Sequence, residues 1–224
     1  MEEKDAKIIM ERLKEDYNLI SSSFAKSRDR DWPEMKFLFD EAKEGEKVLD
    51  IGCGNGRFST HLEHTDYTGL DFSERMIEEA RARFPERNFI VGDALSLPFE
   101  DNSFDRVYSI AVLHQIPSKE YRIRALEEMK RVLKPGGHLY ATVWNIWKRN
   151  KLFCIKQMIW NFFFSRSLGP RDIFLKRDRY YYVFRKKELS YLAKRAGFEP
   201  VEEKVVEKGK RSNFYLIAKK EKDK

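Results

Sequence analysis

The stretch Val48-Leu49-Asp50-Ile51-Gly52-Cys53-Gly54-Asn55-Gly56-Arg57 constrains this chain more than any other. An apolar run ends there in three alternating glycines, and Asp71 closes a second apolar run about 20 residues further on. Lacking Cβ atoms, the glycines reach positive φ and let backbone N–H groups close on a ligand, and a carboxylate at that separation can accept both hydroxyls of a ribose. The pattern predicts a strand-to-loop site for an adenosine-bearing molecule. The spacing is G-x-G-x-G, with Arg57 where a dinucleotide-binding loop would place its third glycine.

Further segments follow in order. Tyr67 to Asp71 reads as a second strand, and Ser73 with Glu74 opens a helix carrying Met76, Ile77 and Ala80. Phe89-Ile90-Val91-Gly92-Asp93-Ala94 reads as a third strand ending in a carboxylate, Phe104 to Ile110 as a fourth, and a fifth follows the turn Leu133-Lys134-Pro135-Gly136-Gly137. Strands and helices alternate to about Val143, which predicts a parallel sheet covered on both faces, with the ligand at the strand carboxyl ends.

From residue 45 to 144 this series resembles the class I S-adenosylmethionine-dependent methyltransferases. The resemblance implies a doubly wound, mostly parallel seven-stranded sheet closed by an antiparallel C-terminal hairpin. It also implies S-adenosyl-L-methionine as cofactor, contacted by Asp50, Gly52, Cys53, Gly54, Gly56, Asp71, Phe72, Met76, Asp93 and Ala94. Asp71 would take the ribose, Asp93 the adenine amino group, and the Ala94 N–H a ring nitrogen.

A chain of 224 residues fits one α/β domain. Residues 1–45 read as a helical lead-in or lid broken near Ser21-Ser22-Ser23, with a second helix opened by Trp32-Pro33; 46–144 as the cofactor core; 145–184 as an insertion; and 185–224 as a helix from Lys186 to Ala196 with strands Val201–Val206 and Asn213–Ala218. No internal repeat is visible. Cys53 and Cys154 form neither a metal-ligand pair nor a redox pair, so no metal is expected and a reduced, cytoplasmic setting is. No apolar run approaches the ~20 residues of a membrane span, and the charged start Met1-Glu2-Glu3-Lys4-Asp5 does not open a signal peptide.

The net charge of +7 hides an asymmetry. From Trp147 to Lys187 twelve Lys or Arg face two acidic residues, and from Lys204 to Lys224 eight face three, leaving the rest of the chain at −8. Cations interleaved with Trp147, Phe153, Trp160, Phe174 and Tyr180 to Tyr182 supply the two ingredients of RNA binding, charge for phosphates and rings for unstacked bases. The basic surface as a whole is expected to face RNA, whereas the individual rings, above all Phe162 to Phe164, are expected to pack as core.

What is absent narrows the acceptor. After the fourth strand the chain reads Ser109-Ile110-Ala111-Val112, not the Asn/Asp-Pro-Pro-aromatic run of amino methyltransferases, and neither cysteine is placed as a nucleophile toward a pyrimidine carbon. A carboxylate acceptor needs neither device, being ionised at neutral pH, and asks mainly for alignment.

Tyr17-Asn18-Leu19-Ile20 to Phe24, Ser27-Arg28, Trp32-Pro33, Ser109 to Ser118, Arg122, Arg124 to Glu128, Arg131 to Gly137, Val143-Trp144, Arg179 to Phe184 and Arg211 to Tyr215 resemble the tRNA wobble-uridine carboxymethyl methyltransferases, which esterify 5-carboxymethyluridine in the anticodon loop. The resemblance implies tRNA as substrate and a small zinc-binding activator subunit as partner. It implies Arg28 and His114 as catalytic residues and Arg28, Trp32, His114, Tyr180 and Tyr181 as substrate contacts. Trp32 also reads as a packing residue beneath the N-terminal lid. The chain departs from that family in having His114-Gln115 in place of paired histidines, and in its aromatic insertion, which also fits a protein or membrane-surface contact. A small-molecule methyltransferase acting on a quinone-like precursor, and a cofactor-binding scaffold without turnover, remain as alternatives.

Overall fold

The computed structural model describes residues 1–27, 32–165, 167–175, 179–209 and 211–222. Helix α1 (Glu3–Ser27) leads by way of a short 3₁₀ segment (Pro33–Leu38) into β1 (Lys47–Ile51). Then come β2 (Asp66–Asp71), α2 (Glu74–Arg83), β3 (Asn88–Val91), β4 (Phe104–Ile110), α3 (Lys119–Val132) and β5 (Leu133–Trp144). The insertion forms α4 (Ile146–Phe164), β6 (Asp172–Leu175) and β7 (Arg179–Tyr182), and the chain closes with α5 (Glu188–Arg195), β8 (Glu199–Lys208) and β9 (Arg211–Lys219).

Seven strands form one sheet in the order β3-β2-β1-β4-β5-β9-β8. The first five are mutually parallel, and β9 runs antiparallel to both β5 and β8. Strand order reverses between β1 and β4, and a crevice opens beyond the carboxyl ends of strands at such a switch point. Alternation along β5 divides the core: Leu139, Ala141 and Val143 pack with α3 and α5, whereas Tyr140 turns to the opposite face with Tyr108 and the 33–38 segment. The Tyr108 and Tyr140 rings stack at 4.8 Å.

Three local expectations are corrected. Helix α1 runs unbroken through Ser21 to Ser23, because the Ser21 and Ser23 hydroxyls donate to the carbonyls of Asn18 and Ile20, three residues back, and stay within the helical path. The Pro135–Gly137 turn falls inside β5 as a bulge: Leu133 pairs with Phe104, the register shifts, and pairing resumes at His138 opposite Arg106. Phe162, Phe163 and Phe164 are exposed rather than core. α4 instead seats Cys154 and Asn161 inward, and Asn161 Nδ2 donates to the Gly169 and Asp172 carbonyls, which holds that face against β6. Among the described residues no helix is long and apolar enough to cross a membrane.

Candidate functional site

A cavity opens at the switch point, walled by the ends of β1, β2, β3 and β4 and roofed by Met10, Leu13 and Tyr17 of α1. Its first wall is made by backbone. Where β1 ends the chain turns through Gly52 (φ +73°), and the N–H groups of Gly52 and Cys53 both donate to the Leu70 carbonyl of β2, at 2.7 and 3.1 Å. A Cβ on Gly52 would stand 2.3 Å from Val112 Cγ2, so only glycine lets the β1 turn and the β4 loop approach this closely.

Asp71 is buried at the end of β2. Its carboxylate accepts the Gly54 N–H on one oxygen and the Ser73 N–H on the other, each at 3.0 Å. Burial pushes this carboxyl up to about 6, with the donated N–H bonds pulling the other way. Ser73 also caps α2, its hydroxyl accepting the Met76 N–H. Phe72 and Met76 line the same wall, and Gly92, Asp93 and Ala94 bound the far side, where Asp93 Oδ1 accepts the Leu95 N–H at 2.9 Å.

Eight of the ten expected cofactor contacts thus line one cavity. Asp50 and Gly56 do not. Asp50 lies behind the loop, buried, accepting the Tyr67 hydroxyl at 2.9 Å; burial pushes its carboxyl up to about 7, and the neighbouring Asp71 charge adds to that rise. Gly56 starts a 3₁₀ segment, Arg57–His61, and a Cβ there would meet Phe89 Cζ at 2.6 Å, so it serves packing.

The second wall is made of side chains. At the end of β4, Ala111 adopts a left-handed conformation (φ +62°) and donates its N–H to the carbonyl and hydroxyl of Thr142. An L-residue held there costs about 1–2 kcal/mol, a strain sustained by its surroundings. The following turn, Leu113–Gln115, points His114 into the body and Gln115 to the cavity. Gln115 Nε2 donates to the Ala111 carbonyl at 2.9 Å, and its Oε1 accepts the Tyr17 hydroxyl at 2.5 Å, joining the α1 roof to the β4 loop.

The expected substrate residues are distributed differently from the sequence reading. His114 is fully buried, its ring against Trp144 (4.9 Å) and stacked on Tyr181 (5.7 Å); of the three only Trp144 reaches the cavity. Tyr180 is buried and donates its hydroxyl to Asp172 Oδ1 at 2.6 Å, its phenol pushed up by burial. Trp32 is buried, with the Arg57 guanidinium 4.3 Å from its ring centre; Arg57 lines the cavity and Trp32 does not. His114, Tyr180, Tyr181 and Trp32 therefore support the site from outside its wall. Arg28 lies outside the described residues.

Several wall residues carried no sequence signal of their own. Asn55, inside the glycine loop, is buried with an Nδ2 that meets no acceptor among the described residues. Roof residues Met10, Leu13 and Tyr17 were legible only as a helical stripe. α1 reaches them by docking on α2: Lys14 pairs with Glu74 at 2.6 Å, Asn18 Oδ1 accepts the Ser73 hydroxyl at 2.7 Å, and Ser22 donates to Glu79 at 2.8 Å.

A family profile described as a methyltransferase domain matches residues 49–141. A protein of Encephalitozoon cuniculi named "Putative methyltransferase" is 34% identical over 193 residues, covering 82% of this chain and 85% of its own. "Probable tRNA methyltransferase 9B" of Bos taurus is 35% identical, over 68% of this chain and 33% of its own. The Arabidopsis thaliana tRNA (carboxymethyluridine(34)-5-O)-methyltransferase is 34% identical, over 57% and 31%. The chain thus spans about a third of the length of the first curated relatives it matches. Among solved structures, a SAM-dependent methyltransferase of Methanosarcina mazei superposes with a TM-score of 0.74 at 27% identity, covering 86% of this chain and 99% of that one. With a near full-length relative, a matching core profile and the sheet order described above, the chain belongs to the S-adenosylmethionine-dependent methyltransferases.

Proposed function

We propose that this methyltransferase esterifies the carboxylate of 5-carboxymethyluridine at the wobble position of tRNA. The observation that carries the reading is the chemistry of the second wall. Ala111, Val112, Gln115, Ile116 and Trp144 present, among the described residues, no lysine, imidazole, thiol or carboxylate to the cavity. A hydroxyl or amine acceptor needs a positioned base to remove its proton, whereas a carboxylate is ionised at neutral pH. The wall is left with alignment, which is catalysis by proximity and orientation. Gln115, held by Tyr17 and Ala111, is suited to orient an acceptor from the roof side, and Trp144, backed by His114 and Tyr181, forms a rigid flat floor. The named activities of the tRNA-modifying relatives point to the same acceptor class.

The first wall fits the cofactor on its own evidence. Asp71 offers a buried carboxylate for the ribose hydroxyls, Asn55 an unspent amide donor, and Gly52 to Gly54 a tight turn that lacks a Cβ at position 52 and so keeps close to Val112. Asp93 and Ala94, which line the far side of the cavity, would meet an adenine edge. When bound, S-adenosylmethionine supplies the methyl group on a sulfonium. We further propose a single domain, Arg28 as an acceptor contact, and a small zinc-binding activator as partner, the last on the strength of the sequence resemblance. A small apolar acceptor is the second reading, favoured by the apolar roof of Met10 and Leu13.

The test is mass spectrometry of nucleosides from carboxymethylated tRNA incubated with labelled cofactor, with and without the activator. The methyl ester of carboxymethyluridine should appear, and tRNA affinity should fall steeply with salt as counterions are released. Unchanged nucleosides together with no tRNA binding at about 50 mM salt would replace this reading with the small-molecule one.

A further inference from the structure

Among the described residues, the far end of α4 carries the most exposed apolar cluster. Trp160, Phe162, Phe163 and Phe164 are 60, 72, 69 and 68% exposed, and Ile159 is exposed beside them. At about 100° per residue these five side chains sweep roughly 200° of the helix circumference. Rotation of the helix cannot hide them, because Asn161 is pinned inward by its two bonds to the Gly169 and Asp172 carbonyls. The rings already rest on one another, Trp160 against Phe164 at 4.7 Å and Phe162 edge-on to Phe163 at 5.1 Å. The result is a preformed, convex apolar knob.

α4 contains Lys148, Arg149, Lys151 and Lys156 and no acidic residue, and Lys151 and Lys156 are exposed. We infer that this knob inserts into the interfacial zone of a bilayer bearing anionic lipid headgroups, with Lys151 and Lys156 meeting the headgroups. Trp and Phe rings favour the interfacial zone of a bilayer, where nearby lysines can reach headgroups, and lipid chains yield to a convex shape that a protein partner would have to enclose in a deep pocket. RNA would require rings spaced to take one base each, whereas here they are clustered, tilted and edge-on to one another. A second copy would bring two acid-free cationic helices together.

Cosedimentation with vesicles decides it. Vesicles containing about 30% phosphatidylglycerol in phosphatidylcholine should capture the full chain, and pure phosphatidylcholine should capture several-fold less. Trp160→Ser/Phe162→Ser/Phe163→Ser/Phe164→Ser should weaken binding by at least about tenfold, and Lys151→Glu/Lys156→Glu by several-fold on anionic vesicles alone. Calorimetric titration with S-adenosylmethionine should give the parent affinity for both variants, since these residues lie away from the cavity wall. The inference is overturned if the parent ignores both vesicle types or if the aromatic variant binds them equally. It is equally overturned if that variant instead loses tRNA affinity, or if it converts a dimer to a monomer, assigning the knob to RNA or to a second copy. Failure of the tRNA proposal would leave these outcomes unchanged.

Discussion

On the β1–β2 side of the cavity backbone atoms do the holding, and on the β4–β5 side side chains hold one another. Gly52, Cys53, Gly54 and Ser73 spend their N–H groups on the Leu70 carbonyl and the Asp71 carboxylate. Across the cavity, Gln115 is fixed by Tyr17, Trp144 by His114 and Tyr181, and Tyr180 by Asp172. The first arrangement tolerates almost no change at Gly52, where its geometry rests on a positive φ and the absence of Cβ. The second can be rebuilt with other side chains of similar volume, so acceptor choice can vary while the cofactor site stays fixed.

Gly52→Ala should be the most damaging substitution. It forces an L-residue to φ +73° and a methyl to within 2.3 Å of Val112, together worth about 4 kcal/mol, seen as a lowered unfolding midpoint and lost cofactor binding. If Val112→Ala in the same chain restores neither, the close approach of the two loops is not what requires glycine.

Asp71→Ala comes next, with cofactor affinity weakened by about 3 kcal/mol in calorimetric titration through loss of charge-assisted hydrogen bonds. An unchanged dissociation constant would remove Asp71 from the site.

Tyr180→Phe sharpens the contrast from the other side. It removes the buried bond to Asp172 and should cost about 1.5 kcal/mol in denaturant unfolding with cofactor affinity untouched. A matching loss of affinity would mean that the two walls are coupled.

The smallest effect is a pH dependence. The Asp71 carboxyl stands at about 6 in the free protein, and ribose hydroxyls donate best to its ionised form. Affinity should be full above neutrality and about tenfold weaker at pH 5, measured by titration across pH. For the free protein the sign reverses. Asp50 and Asp71 are both raised above their unfolded value of 3.8, so their contribution to stability is complete only below that value and is lost as pH rises from there through about 6 and 7.

The legible and illegible residues fall along the same division. Glycine spacing, the Ser73 cap, the Asp71 carboxylate and β4 from Phe104 to Ile110 could be read because each is a local consequence of residue type on backbone. His114 sits away from the cavity because Ala111 enters the left-handed region and the tight turn after it decides which of two adjacent polar side chains faces the cavity. That choice depends on Thr142, a neighbour in space from the next strand. Phe162 to Phe164 were misread as core since an apolar run carries the same signal whether or not something covers it. Ser21 to Ser23 suggested a break because serine offers the backbone alternatives, and only the path of α1 across α2 settled which was taken.

By itself, then, the sequence determined a parallel α/β sheet, its switch point and a loop cut for an adenosine-bearing cofactor, because glycine conformations, caps and strand periodicity act within a few residues. Tertiary structure alone decided that Asp50 and Gly56 stand behind the wall, that Gln115 rather than His114 meets the cavity, that α1 forms its roof, and that the end of α4 is left bare. Each of these outcomes is a competition among groups far apart in the chain for the same space, and packing resolves it only once the sheet has brought them together.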